Sequence, residues 1–220
     1  MTRFFSADSY WNTPIGAAPE VDPESDRLIA LMATKANNGF WMNLDYWTIP
    51  VYEAGPDTPR HQVQRYLSAK CRGVPGWLGS TDPDAAHHGL GQAEGFNPVP
   101  IPAHAAPSRE EDAHMTIVDW STMTAWDMLG AARMADGEWI ANTGIRYRLD
   151  GPGVFGLDQF PIRDGESIHY FGPGRAAGVP IIGGLIMHGE VTAGRIEHRL
   201  AFSTPYSALR RFIYPPATWS

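Results

Sequence analysis

The heptapeptide HMTIVDW, residues His114 to Trp120, decides how the rest of the chain is read. Thr116, Ile117 and Val118 are consecutive β-branched residues, which a pleated strand accommodates better than a helical turn does. Period two places His114, Thr116, Val118 and Trp120 on one face and Met115, Ile117 and Asp119 on the other. We read the segment as a central strand.

Working outward, Ser121 and Thr122 make a turn. The next stretch, to Met134, is taken as a strand, although Ala125, Trp126, Met128, Leu129 and Ala132 also fit helical spacing. Glu138 to Asn142 and Ile145 to Leu149 read as two further strands around Thr143 and Gly144. Upstream, Val99 and Ile101 alternate with Pro100 and Pro102, which permits only extended chain. Trp47, Ile49 and Val51 alternate with Thr48, Pro50 and Tyr52, and Pro50 pushes that strand toward an edge or a bulge. A turn follows at Gly55 to Pro59. Residues Arg195 to Ser203 alternate as well, with Ile196, His198, Leu200 and Phe202 on one face, and Arg211 to Tyr214 reads as a final strand. The one helix predicted begins at Asp22, Pro23 and Glu24, which supply an N-cap, a first-turn proline and a first-turn acid. Its apolar residues Leu28, Ile29, Leu31 and Met32 follow at helical spacing, and it ends near Asn37 to Gly39.

The 220 residues include 23 glycines and 19 prolines, and 43% are hydrophobic. Such a chain can bury a sizeable core, and its turn-forming content favours many short strands over a helical bundle. The expectation is an all-β fold: a single jelly-roll-like β-sandwich domain over residues 1–220, with one short N-terminal helix and two long loops, Cys71 to Pro98 and Asp150 to Gly178.

A net charge of -7 with no Lys/Arg run argues against nucleic acid as a partner. Cys71 is the only cysteine, so the chain can form no internal disulfide and no thiolate metal cluster. The longest apolar stretch, Val179 to Met187, falls short of the ~20 residues of a membrane helix, so no membrane insertion is expected. MTRFFSADSYWN lacks the apolar core of a signal peptide. The expected location is therefore either cytoplasmic, or extracellular as part of a particle assembled in the cytoplasm.

Chemistry concentrates in RAAGVPIIGGLIMHGEVTAGRIEHRLAFST, Arg175 to Thr204, where a dense apolar run meets the ionisable pair Glu190 and His198. An extended backbone there would put His188 and Glu190 on a common face. Acid–base chemistry on a sugar needs either two carboxylates across the scissile bond or a base plus a group that neutralises a uronate. Asp119 and Glu190 are candidates for the first scheme. For the second, His114, with Asp112 two residues before it, or His198 is the base, Arg60 or Arg175 the carboxylate contact, and a tyrosine the proton donor. Each residue also has a plain role: His198 as a satisfied core histidine, His114 as a packing residue, Arg60 in a surface ion pair. Asp82, Asp84, His87 and His88 lack the fixed spacing of a metal site, so neither metal nor cofactor is expected. No phosphate-binding glycine loop and no Gly-x-Ser-x-Gly elbow occurs.

Trp11-Asn12-x-Pro14, Thr58-Pro59-Arg60, Val99-Pro100-Ile101-Pro102, His114-Met115-x-Ile117-Val118-Asp119 and Gly194-x-Ile196-x-His198 together resemble a family of mostly uncharacterised actinobacterial secreted β-sandwich proteins. That resemblance implies a jelly-roll fold and a polysaccharide ligand. Lacking a leader, the chain is also similar to what a phage tail component would be, with other virion proteins as partners. The function expected is binding and cleavage of a cell-envelope or extracellular glycan, as a lyase or glycoside hydrolase. Its catalytic residues would be drawn from His114, Asp119, Glu190 and His198, and its substrate contacts from Arg60, Arg175 and Trp126. The competing expectation is a non-catalytic glycan-binding or tail structural module, with Trp41, Trp47, Trp77 and Trp126 as aromatic platforms.

Overall fold

In a computed structural model, residues 3–35, 42–65, 96–154, 175 and 177–203 are described. Strand β5 (Met115–Asp119) lies inside a four-stranded sheet of order β1-β5-β6-β9, with β1 (Val51–Glu53) at one edge and β6 (Thr124–Leu129) and β9 (Thr143–Arg148) on its other side. β1 runs parallel to β5, whereas β5–β6 and β6–β9 are antiparallel. Two small sheets accompany it. β2 (Arg60–His61) pairs with β4 (Val99–Pro100), and β8 (Trp139–Ala141) lies between β3 (Val63–Arg65) and β7 (Ala132–Arg133), parallel to the first. The regular structure of the described residues is thus mostly strand in mixed sheets, with two helices, α1 (Ser25–Lys35) and α2 (His188–Ala193). Among the described residues no second sheet closes the four-stranded one into a sandwich, and two pairings are parallel, which an all-antiparallel jelly roll does not contain.

The alternation read in HMTIVDW has a direct structural counterpart. Met115 and Ile117 face one apolar cluster, with Trp126 and Met128 from β6 and Phe96, Val99 and Ile101 from the preceding loop and strand. Val118 faces a second cluster, built with Ala125, Leu149, Phe5, Trp11, Val179 and Ile182. Ile117, Met115, Phe96, Ile101 and Met128 are fully buried. Each such side chain contributes about 1.5–3 kcal/mol when taken from water, so both faces of the sheet stabilise the fold. Glycine at 144 is demanded by space, because a Cβ there would lie 2.7 Å from the Phe96 ring and 2.8 Å from the Asp127 carbonyl.

The amino-terminal aromatics cover the second cluster, and polar anchors hold them there. Trp11 donates its indole N–H to the Gly153 carbonyl at 2.7 Å, and the Asn12 amide donates to the carbonyls of Phe4 and Ser6. The helix read from Asp22 onward is α1, and the Asp22 carboxylate accepts the Glu24 N–H at 2.8 Å, as a capping acid should. The strand read from Trp47 is shorter than its alternation suggests. Trp47 has φ 58, which turns the chain, and regular pairing begins only at Val51.

Two segments depart from expectation. His188 to Ala193 is helical rather than extended, so His188 and Glu190 do not share a strand face. Gly194, at φ 64, ends that helix in the left-handed cap that glycine adopts most easily. Residues 195–203 form no strand despite their alternation, and Ile196, Leu200 and Phe202 are 39%, 50% and 60% exposed. Among the described residues no strand pairs with them. Arg199 N–H bonds the Trp11 carbonyl and Ala201 N–H bonds the Gly184 carbonyl, two isolated anchors on different partners. Trp41, Trp77, Asp82, Asp84, His87, His88, most of both long loops and the strand read at Arg211 to Tyr214 lie outside the described residues.

Candidate anion-binding cleft and its neighbours

The candidate substrate contacts Arg60 and Trp126 come together. β2 carries Arg60 opposite Pro100, and β6 carries Trp126 directly across from Arg146 of β9. With Asn97, Pro98 and Thr122 these side chains line a cleft of about 150 Å³. Arg60 and Arg146 are exposed, and the Arg146 guanidinium sits 5.7 Å from the centre of the Trp126 ring. Trp126 is only 3% exposed and donates its indole N–H to the Phe96 carbonyl at 2.8 Å, so it is a wall of the cleft rather than an open platform. Trp47, at 50%, is the exposed tryptophan of the described set. Asn97 fixes the rim, because its side-chain amide both accepts the Val63 N–H and donates to the Val63 carbonyl. Among the described residues, Arg60 and Arg146 are the charged side chains of this lining, on a chain of net charge -7.

Asp119 is next to that cleft but engaged. Its Oδ1 accepts the Ser121 N–H and hydroxyl at 2.9 and 2.6 Å and the Thr122 N–H at 3.3 Å, which folds the β5–β6 turn. Burial works to raise its pKa, but these bonds from Ser121 and Thr122 outweigh it and hold the carboxyl below its usual range.

Arg175 has a different neighbourhood from Arg60. It half-buries its side chain beside Asp127, donating from Nη2 to the Ile181 carbonyl at 2.9 Å, while its Nε finds no acceptor among the described residues. Asp127, on the β6 face opposite Trp126, is 1% exposed. Its Oδ1 accepts from the Thr116 hydroxyl at 2.6 Å and the Tyr147 hydroxyl at 2.9 Å, and its Oδ2 accepts the Ile181 N–H at 2.7 Å. Burial pushes its pKa up to about 6 against the pull of those donors and of Arg175. Tyr147, buried against that carboxyl, is held well above the ordinary tyrosine value.

His114 begins the same sheet face, with Nδ1 4.0 Å from an Asp112 oxygen. Burial lowers its pKa, Asp112 works the other way and Arg175 adds to the lowering, so the ring is neutral at pH 7.

Glu190 and His198 do meet: Nε2 of the ring lies 2.9 Å from Oε1 of the acid. Glu190 also accepts the Met187 N–H that opens α2, and the His198 Nδ1 faces the Arg199 carbonyl at 2.7 Å. A carbonyl can only accept, so Nδ1 carries a proton, and both ring nitrogens are occupied by protein groups. The pair ties α2 to the segment after it and leaves no lone pair directed at a substrate. Glu190 and Asp119 are each engaged by partners of their own, Met187 and His198 for the first and Ser121 and Thr122 for the second.

Sequence inspection missed Asp127, Tyr147 and Arg146. The strand assignments for β6 and β9 contained the necessary signal, because an acid at an inward position of an apolar strand requires partners. Among the described residues no group of three or more His, Cys, Asp or Glu side chains could hold a metal ion, and no helix is long and apolar enough to cross a membrane. Comparison with known protein families, curated proteins and solved structures finds no match to the chain.

Proposed function

We propose that this chain is a polysaccharide-binding protein that takes an acidic residue of a cell-envelope or extracellular glycan in the cleft between Arg60 and Arg146. The observation that carries this is that two exposed arginines from separate sheets line one cleft, Arg146 with its guanidinium over the buried Trp126 indole. Planar guanidinium forks match a carboxylate in two parallel hydrogen bonds. About 150 Å³ exceeds the ~30 Å³ share of a water several-fold and lies below the ~300–1,000 Å³ of drug-sized pockets. That volume suits one charged group and part of its sugar ring, with the rest of the polymer running over the surface.

Cleavage is a second reading, favoured by Asp119. It abuts the cleft through Thr122 and is ionised at neutral pH, so it could act as a base beside an arginine-neutralised uronate. Binding without turnover fits better, since Asp119 is already engaged and His114 lies on the face of the sheet away from Trp126. We keep the jelly-roll sandwich, as a single domain, within the proposal. Apolar layers on both faces of the four-stranded sheet support it, and the parallel strand pairs weigh against it. Association with a virion, supported by the motif resemblance, would be tested by detecting the protein in purified particles.

Calorimetric titration with uronate-bearing and neutral oligosaccharides tests the reading. Binding confined to the acidic set, weakened at least tenfold by Arg60→Ala and by Arg146→Ala, is expected. That factor corresponds to about 1.4 kcal/mol for each arginine. Equal binding of neutral sugars, or indifference to both substitutions, sinks it. New unsaturated ends absorbing in the ultraviolet, abolished by Asp119→Asn, would establish cleavage by elimination instead.

A further inference from the structure

We propose that Asp127 is a proton-controlled latch: while its carboxyl is neutral it holds the segment 177–183 against the sheet, and its ionisation loosens that segment. The geometry is a clamp on one peptide group. Asp127 accepts the Ile181 N–H, and Arg175 donates to the Ile181 carbonyl. The clamped segment carries Val179 and Ile182, which close the apolar cluster over Phe5 and Trp11. Opening it therefore brings water to the carboxyl and uncovers one face of the sheet.

The hydrogen bonds fit the neutral acid as well as the anion. A proton on Oδ1 can be donated to the Thr116 or Tyr147 hydroxyl, since either can turn and accept, and Oδ2 keeps the Ile181 N–H. Desolvation then decides between the two states. The groups facing Asp127 are Thr116 from β5, Tyr147 from β9, and Arg175 with the Ile181 N–H from the final segment. Arg175 is the one charge among them, and its attraction is outweighed by burial, so the proton stays on to about pH 6. His114, on the same face two residues before Thr116, faces Arg175 and brings Asp112 with it. In the open segment the hydrated carboxyl returns to its ordinary value near 3.8, so opening releases a proton. Opening is thus favoured as pH rises from about 4 to about 6 and is level outside that window.

Hydrogen exchange of the Ile181 and Ile182 amides in the whole chain, corrected for intrinsic rates, reads the latch. Protection at pH 4 should exceed protection at pH 7 by on the order of 100-fold, the factor that about two pKa units represent. His114→Gln serves as the background, because that ring responds to acid with the opposite sign. Asp127→Asn should make protection independent of pH. Thr116→Val and Tyr147→Phe each remove a donor that favours the anion and should move the midpoint upward, which keeps the test decisive if Asp127→Asn does not fold. Equal protection at the two pH values overturns the latch, as does a pH dependence that survives in Asp127→Asn, or a midpoint unmoved by both hydroxyl deletions.

Discussion

Asp127 gathers three donors, from two strands and a loop, onto one buried carboxyl. Asp127→Ala would remove the acceptor that the Thr116 and Tyr147 hydroxyls and the Ile181 N–H share. We expect a loss of about 3 kcal/mol in urea unfolding at pH 7, with Asp127→Asn costing less because it retains an acceptor for Ile181. The pH dependence has a definite sign. Its carboxyl is raised in the folded protein, so the folded state holds the proton more tightly. The stability this contributes is present in acid and is lost as pH climbs from about 4 through about 6, by roughly 3 kcal/mol. His114 acts in reverse, since its lowered value means stability is full above 6.5 and declines as pH falls below it. His114→Gln should therefore flatten the acid side of the wild-type stability profile, and Asp127→Asn should remove the decline between pH 4 and 6. A histidine substitution that leaves the acid limb untouched would contradict this assignment. None of this was legible in TAWDML alone, because the partners of Asp127 lie 11, 20 and 54 residues away.

Among the elements, strands defined by alternation with a partner nearby were legible and the isolated ones were not. HMTIVDW, the stretch after Ser121 and the pair around Gly144 all found neighbours and became β5, β6, β8 and β9. Residues 195–203 alternate equally well, but no strand among the described residues pairs with them, and alternation without a pairing edge does not make a strand. The helix α2 was missed because HGEVTA has no apolar period; what holds it is the bond from Met187 N–H to Glu190 and the tie to His198. Two glycines separate the forces involved. At Gly194 a Cβ meets nothing within 4 Å, so Gly194→Ala carries only the left-handed conformational penalty, about 1 kcal/mol. At Gly144 the backbone is ordinary and the obstruction is packing, so Gly144→Ala should cost about 2–3 kcal/mol by forcing Phe96 and the β6 carbonyl aside. Thermal denaturation of both variants, with Phe96→Leu added to each, distinguishes them: the smaller side chain should recover part of the Gly144 loss and none of the Gly194 loss.

For the whole molecule, the pairing of Arg60 with Trp126 was legible as a list of residue types, but not as a place. Arg60 reaches the cleft only because β2 pairs with β4, and Arg146 only because β9 lies across from Trp126. The cleft carries two arginines while the chain as a whole carries -7, so on the proposed reading an acidic glycan would meet attraction at short range and repulsion at long range. Salt separates the two by distance, since the Debye length is ~30 Å at 0.01 M and ~10 Å at 0.1 M. A single uronate sugar senses chiefly the two guanidinium groups, and its affinity should fall steadily as salt is added. A long uronate polymer also passes over the negative surface, so moderate salt should first strengthen its binding by screening that repulsion, and higher salt should then weaken it by screening the cleft. In Arg60→Ala the monosaccharide should lose much of its salt dependence, whereas the polymer should keep its initial rise. Titrations of both ligands across the same salt series measure this directly, and a polymer affinity that declines from the lowest salt onward would place the bound anion somewhere other than this cleft.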